Sequence, residues 1–175
     1  MPKLSAGLLV HRLDASSTMV EVLLVHPGGP FWAKKDAGAW SVPKGEYEEG
    51  EDPVAVARRE FEEEIGQPAP DGRLIELGEL KQPSGKRITA WALTGEVDSH
   101  HISSNTFDME WPKNSGKTES FPEVDRADWF PVAIARQKIL KGQAPFLDRL
   151  LDVLRQEIRN LSEGESSAAG QVPLF

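Results

Sequence analysis

Gly45-Glu-Tyr-Glu-Glu-Gly-Glu51-Asp-Pro-Val-Ala-Val-Ala-Arg-Arg59-Glu60-Phe61-Glu62-Glu63-Glu64-Ile65-Gly66-Gln67 is the stretch that sets both the architecture and the chemistry of this chain. Asp52 followed by Pro53 predicts a helix start, an N-cap acceptor with proline at the first helical position. Gly66 and Pro68 predict its end. At 100° per residue, Val54, Ala57, Phe61 and Ile65 fall on one arc and form the buried face. Glu60, Glu63 and Glu64 share the adjoining arc, while Glu62 points toward solvent. Three carboxylates side by side cost a helix a few tenths of a kcal/mol per pair. A hard divalent cation such as Mg²⁺, which prefers oxygen ligands, relieves that repulsion. Arg59 is placed to pair with Glu51 or with a member of the cluster.

Charge is concentrated in the same stretch. Between Glu46 and Glu64 stand nine acids and two bases, a local −7 within a total of −8. A solvated acidic helix is the plain reading of such a run taken alone.

Working outward, Leu4–Leu13 and Val20–His26 read as a pair of apolar strands separated by a polar turn. A Gly- and Pro-dense loop, 27–38, leads to a short extended piece at Trp40–Pro43. Beyond the acidic helix, 73–80 and 87–97 read as two more strands joined by Pro83-Ser-Gly85. Residues 98–120 are polar and punctuated, with a short strand expected around 106–111, and 127–130 is another extended piece. Helices are expected over 132–140 and 144–161. In the second, Phe146, Leu147, Leu150, Leu151, Leu154 and Ile158 make one apolar face. Residues 1–161 thus read as one domain, and 162–175, rich in Ser, Gly and Ala, as a flexible tail.

A length of 175 residues gives room for one domain with a substantial core. The chain has no cysteine, which excludes disulfides, thiolate zinc sites and a cysteine nucleophile. No apolar run is long enough to span a membrane, and no secretory segment opens the chain, so a cytoplasmic protein is expected. The acidic balance argues against direct nucleic-acid binding. His11, His26, His100 and His101 are not spaced as metal ligands.

The pattern Gly45, five residues, Glu51, seven residues, then Arg59-Glu60-Phe61-Glu62-Glu63-Glu64-Ile65-Gly66 resembles the Nudix box of the Nudix hydrolases. Gln67 departs from it, because that last position is usually bulky and aliphatic. The resemblance implies an α/β class fold, an α/β/α sandwich with a mixed β-sheet between helices. It also implies a hydrolase of a nucleoside diphosphate linked to another group, X, dependent on Mg²⁺ or Mn²⁺. By that resemblance, Glu60 and Glu64 are the principal metal ligands, with Glu63 a further or water-mediated one. The backbone carbonyl of Lys44 completes the inner shell. Arg59 and Glu51 support the cluster, and Gly45 lets the backbone approach the metal. Glu123, in Phe121-Pro-Glu123-Val, matches a loop glutamate that serves some relatives as general base or extra ligand. Glu110, Glu119 and a box glutamate remain alternatives.

Trp40-Ser-Val-Pro43-Lys44-Gly45 resembles the segment preceding the box in diadenosine polyphosphate and diphosphoinositol hydrolases. Expected substrates are dinucleoside polyphosphates or (d)NTPs. Lys44, Lys86 and Arg87 are candidate phosphate contacts, alongside the loop cations Lys34, Lys35, Lys113 and Lys117. Trp32, Trp91 and Trp111 are candidates to stack on a base. The terminal Gln171-Val-Pro-Leu-Phe175 resembles peptides that bacterial replication proteins insert into the sliding clamp. That leaves a second reading, a non-catalytic nucleotide-binding domain acting through a partner. A homodimer is left open.

Overall fold

Leu8, Leu9 and Val10 are consecutive and fully buried, which a strand permits only where both faces of its sheet are covered. The computed structural model, which describes residues 2–16 and 18–169, shows that arrangement. β1 (Leu4–Leu13) is central, flanked by β2 (Val20–Pro27), by the short β3 (Lys44–Tyr47) and by β5 (Arg87–Thr94). The sheet runs β4-β5-β1-β2-β8, with β4 spanning Leu74–Lys81 and β8 Val124–Pro131, and β3 pairing with β1. β1 and β5 are parallel from Leu4↔Arg87 to His11↔Thr94, and the other pairings are antiparallel. The sheet is mixed, as expected.

Alternate residues feed two cores. Ala6, Leu8, Val10, Leu23, Val25, Trp91 and Leu93 face α1 (Pro53–Ile65), where Val56, Ala57, Phe61 and Ile65 are buried. Val54 is only half-buried, and Val56 takes the place expected for it. On the opposite face Leu9, Val22, Leu24, Ile88, Ala90 and Ala92 pack with α2 (Val132–Lys138) and α3 (Pro145–Ala169). The α/β/α sandwich is therefore present.

Three elements differ from expectation. Residues 105–123 form a two-stranded hairpin, β6 (Thr106–Glu110) with β7 (Thr118–Pro122), separate from the main sheet. β7 is too polar to show in a hydrophobicity pattern. α3 extends to Ala169 rather than ending at Leu161, and so takes in residues 162–169 of the expected tail. Ile158, expected on its buried face, is 66 % exposed, and its neighbour Glu157 pairs with Arg73 at 3.0 Å instead. Gln171–Phe175 lie outside the described residues. Among the described residues no helix is long and apolar enough to cross a membrane.

Candidate active site

α1 is held at both ends as its caps predict. Asp52 accepts from the Val54 amide at 3.2 Å, and Gly66, at φ 79°, donates to Glu62 O at 2.7 Å. The next free carbonyls of the helix are taken by the loop before β6. Ser103 N–H donates to Ile65 O at 2.8 Å and Asn105 N–H to Glu63 O at 2.9 Å. From Asn105 a backbone relay continues. Glu123 N–H donates to Asn105 O at 2.8 Å, and Gly28 N–H donates to Glu123 O at 2.9 Å. The main chain thus ties Glu123 to the helix that carries the box glutamates. Ser104 adds a second tie, accepting from the Val124 amide at 3.0 Å. Asn105, Ser104 and Gly28 carry no chemical signature, so the sequence does not single them out. A Cβ on Gly28 would collide with Pro122 O, which explains a glycine there.

β3 supplies the opposite wall. Leu8 N–H donates to Pro43 O, so the facing pair Gly7↔Lys44 occupies the non-hydrogen-bonded position of the antiparallel ladder. The Lys44 N–H and C=O therefore point away from β1, at an edge that no other strand covers. Gln143, buried under α3, fixes the segment leading to that edge. Its Oε1 accepts from Val42 N–H at 3.0 Å, and its Nε2 donates to Ser41 Oγ at 3.0 Å. Gly45 follows, and Glu60 lies directly over it. A Cβ at Gly45 would sit on top of Glu60 Cγ and Cδ. This is the close approach that requires glycine.

Electrostatics mark the carboxylates as a set. Burial pushes Glu64 up to about 8, with the charges of Glu60 and Glu123 adding and Lys44 opposing. Glu60 is raised by burial and by Glu63, against Arg59. Burial lowers Lys44; Glu64, Glu46 and Glu60 oppose that, and Lys86 adds to it. Arg59 reaches Glu51 at 3.7 Å, Glu60 at 3.5 Å and Glu63 at 4.0 Å, so the expected supporting pair is part of a four-membered cluster. Glu51 also caps its own loop, accepting from Glu48 N–H at 3.0 Å.

Do these residues fit a divalent cation? Glu64 Oε2 is buried and has no hydrogen-bond partner among the described residues. A buried carboxylate oxygen without a donor is costly unless a cation meets it. Glu60 and Glu123 add their charge to Glu64, and the Lys44 C=O faces away from β1, so the donors at hand are all oxygen, the type that suits Mg²⁺ or Mn²⁺. No three acidic or histidine side chains converge as a ready cage among the described residues. Glu60 and Glu63 lean on Arg59 instead, as like charges do when a guanidinium is the nearest cation. The donor set fits the ion.

Of the substrate contacts expected from sequence, Lys86 reaches β3, bonding Glu46 at 2.8 Å, beside Lys44. Arg87 turns instead to Glu79 at 3.4 Å. Trp32 packs against the α2–α3 core with Lys35 Nζ 4.9 Å above its ring, and Trp91 is buried on the α1 side. Trp91 is a packing residue in this fold, and Trp32 stays half-buried at the edge of its core. Trp111 meets Phe31 edge to face at 5.8 Å, and Phe31 is 59 % exposed. Glu110 and Glu119 lie on the hairpin strands with exposed side chains. His26 is buried, bonded to Asp125 Oδ1 at 2.8 Å and Lys35 O at 2.6 Å, and His11 lies 3.3 Å from Thr94 Oγ1. Their contacts are structural.

A sequence model of the NUDIX domain matches residues 1–150. No curated protein matches the chain. The fold is similar to that of a C. elegans Ap4A hydrolase solved as a binary complex, with 19% identity, 87% of this chain and 98% of that one covered, and TM-score 0.60. It is similar to the NUDIX domain of Shewanella oneidensis NrtR in complex with ADP ribose (15% identity, 88% and 89% covered, TM-score 0.61). It is also similar to the M. smegmatis Nudix hydrolase RenU (22% identity, 87% and 85% covered, TM-score 0.55). With the box residues assembled around Lys44 and the domain matched over most of its length, the chain belongs to the Nudix hydrolase family.

Proposed function

We propose that the chain is a Mg²⁺- or Mn²⁺-dependent pyrophosphohydrolase that cleaves a nucleoside diphosphate linked to X, by attack of water on phosphorus. Dinucleoside polyphosphates or (d)NTPs are its substrates, and it works in the cytoplasm. The observation that carries this reading is the buried Glu64 Oε2, which has no partner among the described residues and whose carboxylate feels the charges of Glu60, Glu123 and Lys44. Glu60, Glu63, Glu64 and the Lys44 carbonyl would hold the cation, with Glu123 an additional ligand or the general base. The ion supplies charge neutralisation of the diphosphate and Lewis-acid polarisation of its oxygens. Arg59 holds Glu60 and Glu63 in place. Glu123, whose backbone is tied to the helix through Asn105, would accept a proton from the attacking water. Lys44 and Lys86 add positive charge along the phosphate path.

The test is turnover with Mg²⁺ on a panel of diadenosine tetraphosphate, dNTPs, ADP-ribose and diphosphoinositols, with products identified. Glu63→Gln and Glu64→Gln should each abolish release of product. Full turnover by both variants overturns the assigned site. A second reading has the domain bind nucleotide and act through the sliding clamp, supported by the Gln171–Phe175 pattern. Pull-down with clamp should then separate the full chain from one ending at Gly170. Equal capture removes that reading.

A further inference from the structure

The hairpin β6–β7 springs from the active site itself. Its strands are flanked by Asn105 and Glu123, and Asn105 joins the box helix to Glu123, the candidate base. By strand alternation, Phe107, Met109 and Trp111 share one face with Phe121, and Thr106, Asp108 and Glu110 occupy the other. The aromatic face leans on the loop after β2. Phe107 and Phe121 lie 6.1 Å apart, and a Cβ on Gly29 would touch the Phe107 ring at 3.0 Å. At the outer end Phe31 and Trp111 meet at 5.8 Å and 77°.

Packing accounts for Phe107 and Phe121. It does not account for Phe31, which keeps 59 % of its surface in water beside a second aromatic ring. A large apolar side chain left bare on a loop, next to a functional site, is a recognition feature more than a fold requirement. The pair is also close to the chemistry. Phe31 is three residues from Gly28, whose amide bonds Glu123 O, and three residues span at most about 11 Å. Lys113 and Lys117, at the hairpin tip, are exposed cations on the same arm.

We propose that Phe31 and Trp111 are the recognition site for an aromatic base carried by X, the half of the substrate not held at the box. This rests on the pyrophosphohydrolase reading above and adds a substrate class to it. A base in contact with the pair presents a flat face to Phe31 while the polyphosphate runs back past Glu123 to the glutamates. A ribose or inositol ring offers no such face, so the pair selects substrates with two bases over those with one.

The experiment measures dissociation constants by calorimetry with Ca²⁺, for diadenosine tetraphosphate and adenosine 5′-tetraphosphate, which differ in the second nucleoside. The readout is the ratio of the two affinities. In the wild-type protein the two-base ligand should bind more tightly. Phe31→Ala and Trp111→Ala should each cut that ratio by roughly fivefold to a hundredfold, the range of base–aromatic stacking. Phe31→Leu keeps apolar bulk without a flat face, and should cut it as well while melting like the wild type. A ratio unchanged by all three variants, or a wild type indifferent to the second base, overturns the proposal. Turnover of both compounds with Mg²⁺ is measured separately. Its absence sinks the hydrolase reading, whereas the affinity ratio alone decides the role of the aromatic pair.

Discussion

Glu64, a proposed metal ligand, works against the fold that carries it. Its buried oxygen lacks a donor, and the neighbouring Glu60 and Glu123 make ionisation harder. Glu64→Gln should therefore raise the melting temperature of the metal-free protein above about pH 8, where Glu64 is ionised, since a neutral amide carries no charge to desolvate on burial. The same substitution should lower kcat by about a hundredfold or more, and both effects are measurable on one preparation. A fall in metal-free stability would show that the contacts of Glu64 with Lys44 outweigh the cost of its burial. His11 offers a residue-scale effect with the pH sign fixed. Burial lowers its pKa below 6.5, against a smaller opposing pull from Glu157. Unfolded chains bind that proton as the pH falls through 6.5, and the folded protein binds it only at lower pH. Stability should thus decline below pH 6.5, by at most about 1.4 kcal/mol per pH unit, and level off below the folded pKa. Urea titrations at pH 7.5 and 5.5 should show the wild type losing more stability than His11→Gln, in which this titration is missing.

At the scale of elements, the site depends on what places Lys44 and Glu123. Gln143 is far from β3 in sequence, yet it satisfies Val42 and Ser41 just before Lys44, whose carbonyl is a proposed metal ligand. Gln143→Leu keeps the volume and strands the Val42 N–H. A loss of about 1–3 kcal/mol in a denaturant titration is expected, with reduced turnover because the β3 edge shifts. An unchanged midpoint would mean that water replaces the amide. This dependence explains which parts were legible in the sequence. The box announces itself because Asp52, Pro53, Gly66 and the glutamate spacing are each a local signal. β1 and β2 announce themselves through continuous apolar runs. β7 and the far end of α3 do not, because polar strands and solvent-facing turns leave no hydrophobic pattern. Glu123 stands out in the sequence only by resemblance. The Asn105 relay does not stand out at all, because backbone amides bond alike whatever side chain they carry. Trp91 shows the limit from the other direction, since an indole reads the same in a core as in a pocket.

For the whole molecule, the decisive quantity is where its charge sits. The total is −8, and a local −7 lies between Glu46 and Glu64, on β3, the loop after it and α1. Arg59 compensates Glu51, Glu60 and Glu63, and Lys3 and Lys86 compensate Glu46. Glu64, whose nearest cation is the half-desolvated Lys44, retains an oxygen with no partner. The folded chain is thus short of one cation at one place, and unfolding disperses the charges that create the need. A divalent ion that binds only the folded form should stabilise it by RT ln(1 + [L]/Kd), about 2.7 kcal/mol at a hundredfold excess over Kd. For a chain of this length that corresponds to a rise of roughly 5–11 °C in Tm. Scanning calorimetry with Mg²⁺, then with excess chelator, should show the rise and its reversal. Raising NaCl to equal ionic strength should reproduce only a small part of it, because screening acts on exposed pairs and reaches a buried oxygen poorly. Above about pH 8, Glu64→Gln should start from a higher Tm and lose most of the Mg²⁺ response, so the two curves converge as the ion is added. Parallel curves, each rising equally with Mg²⁺, would place the ion away from Glu64 and remove the charge argument altogether.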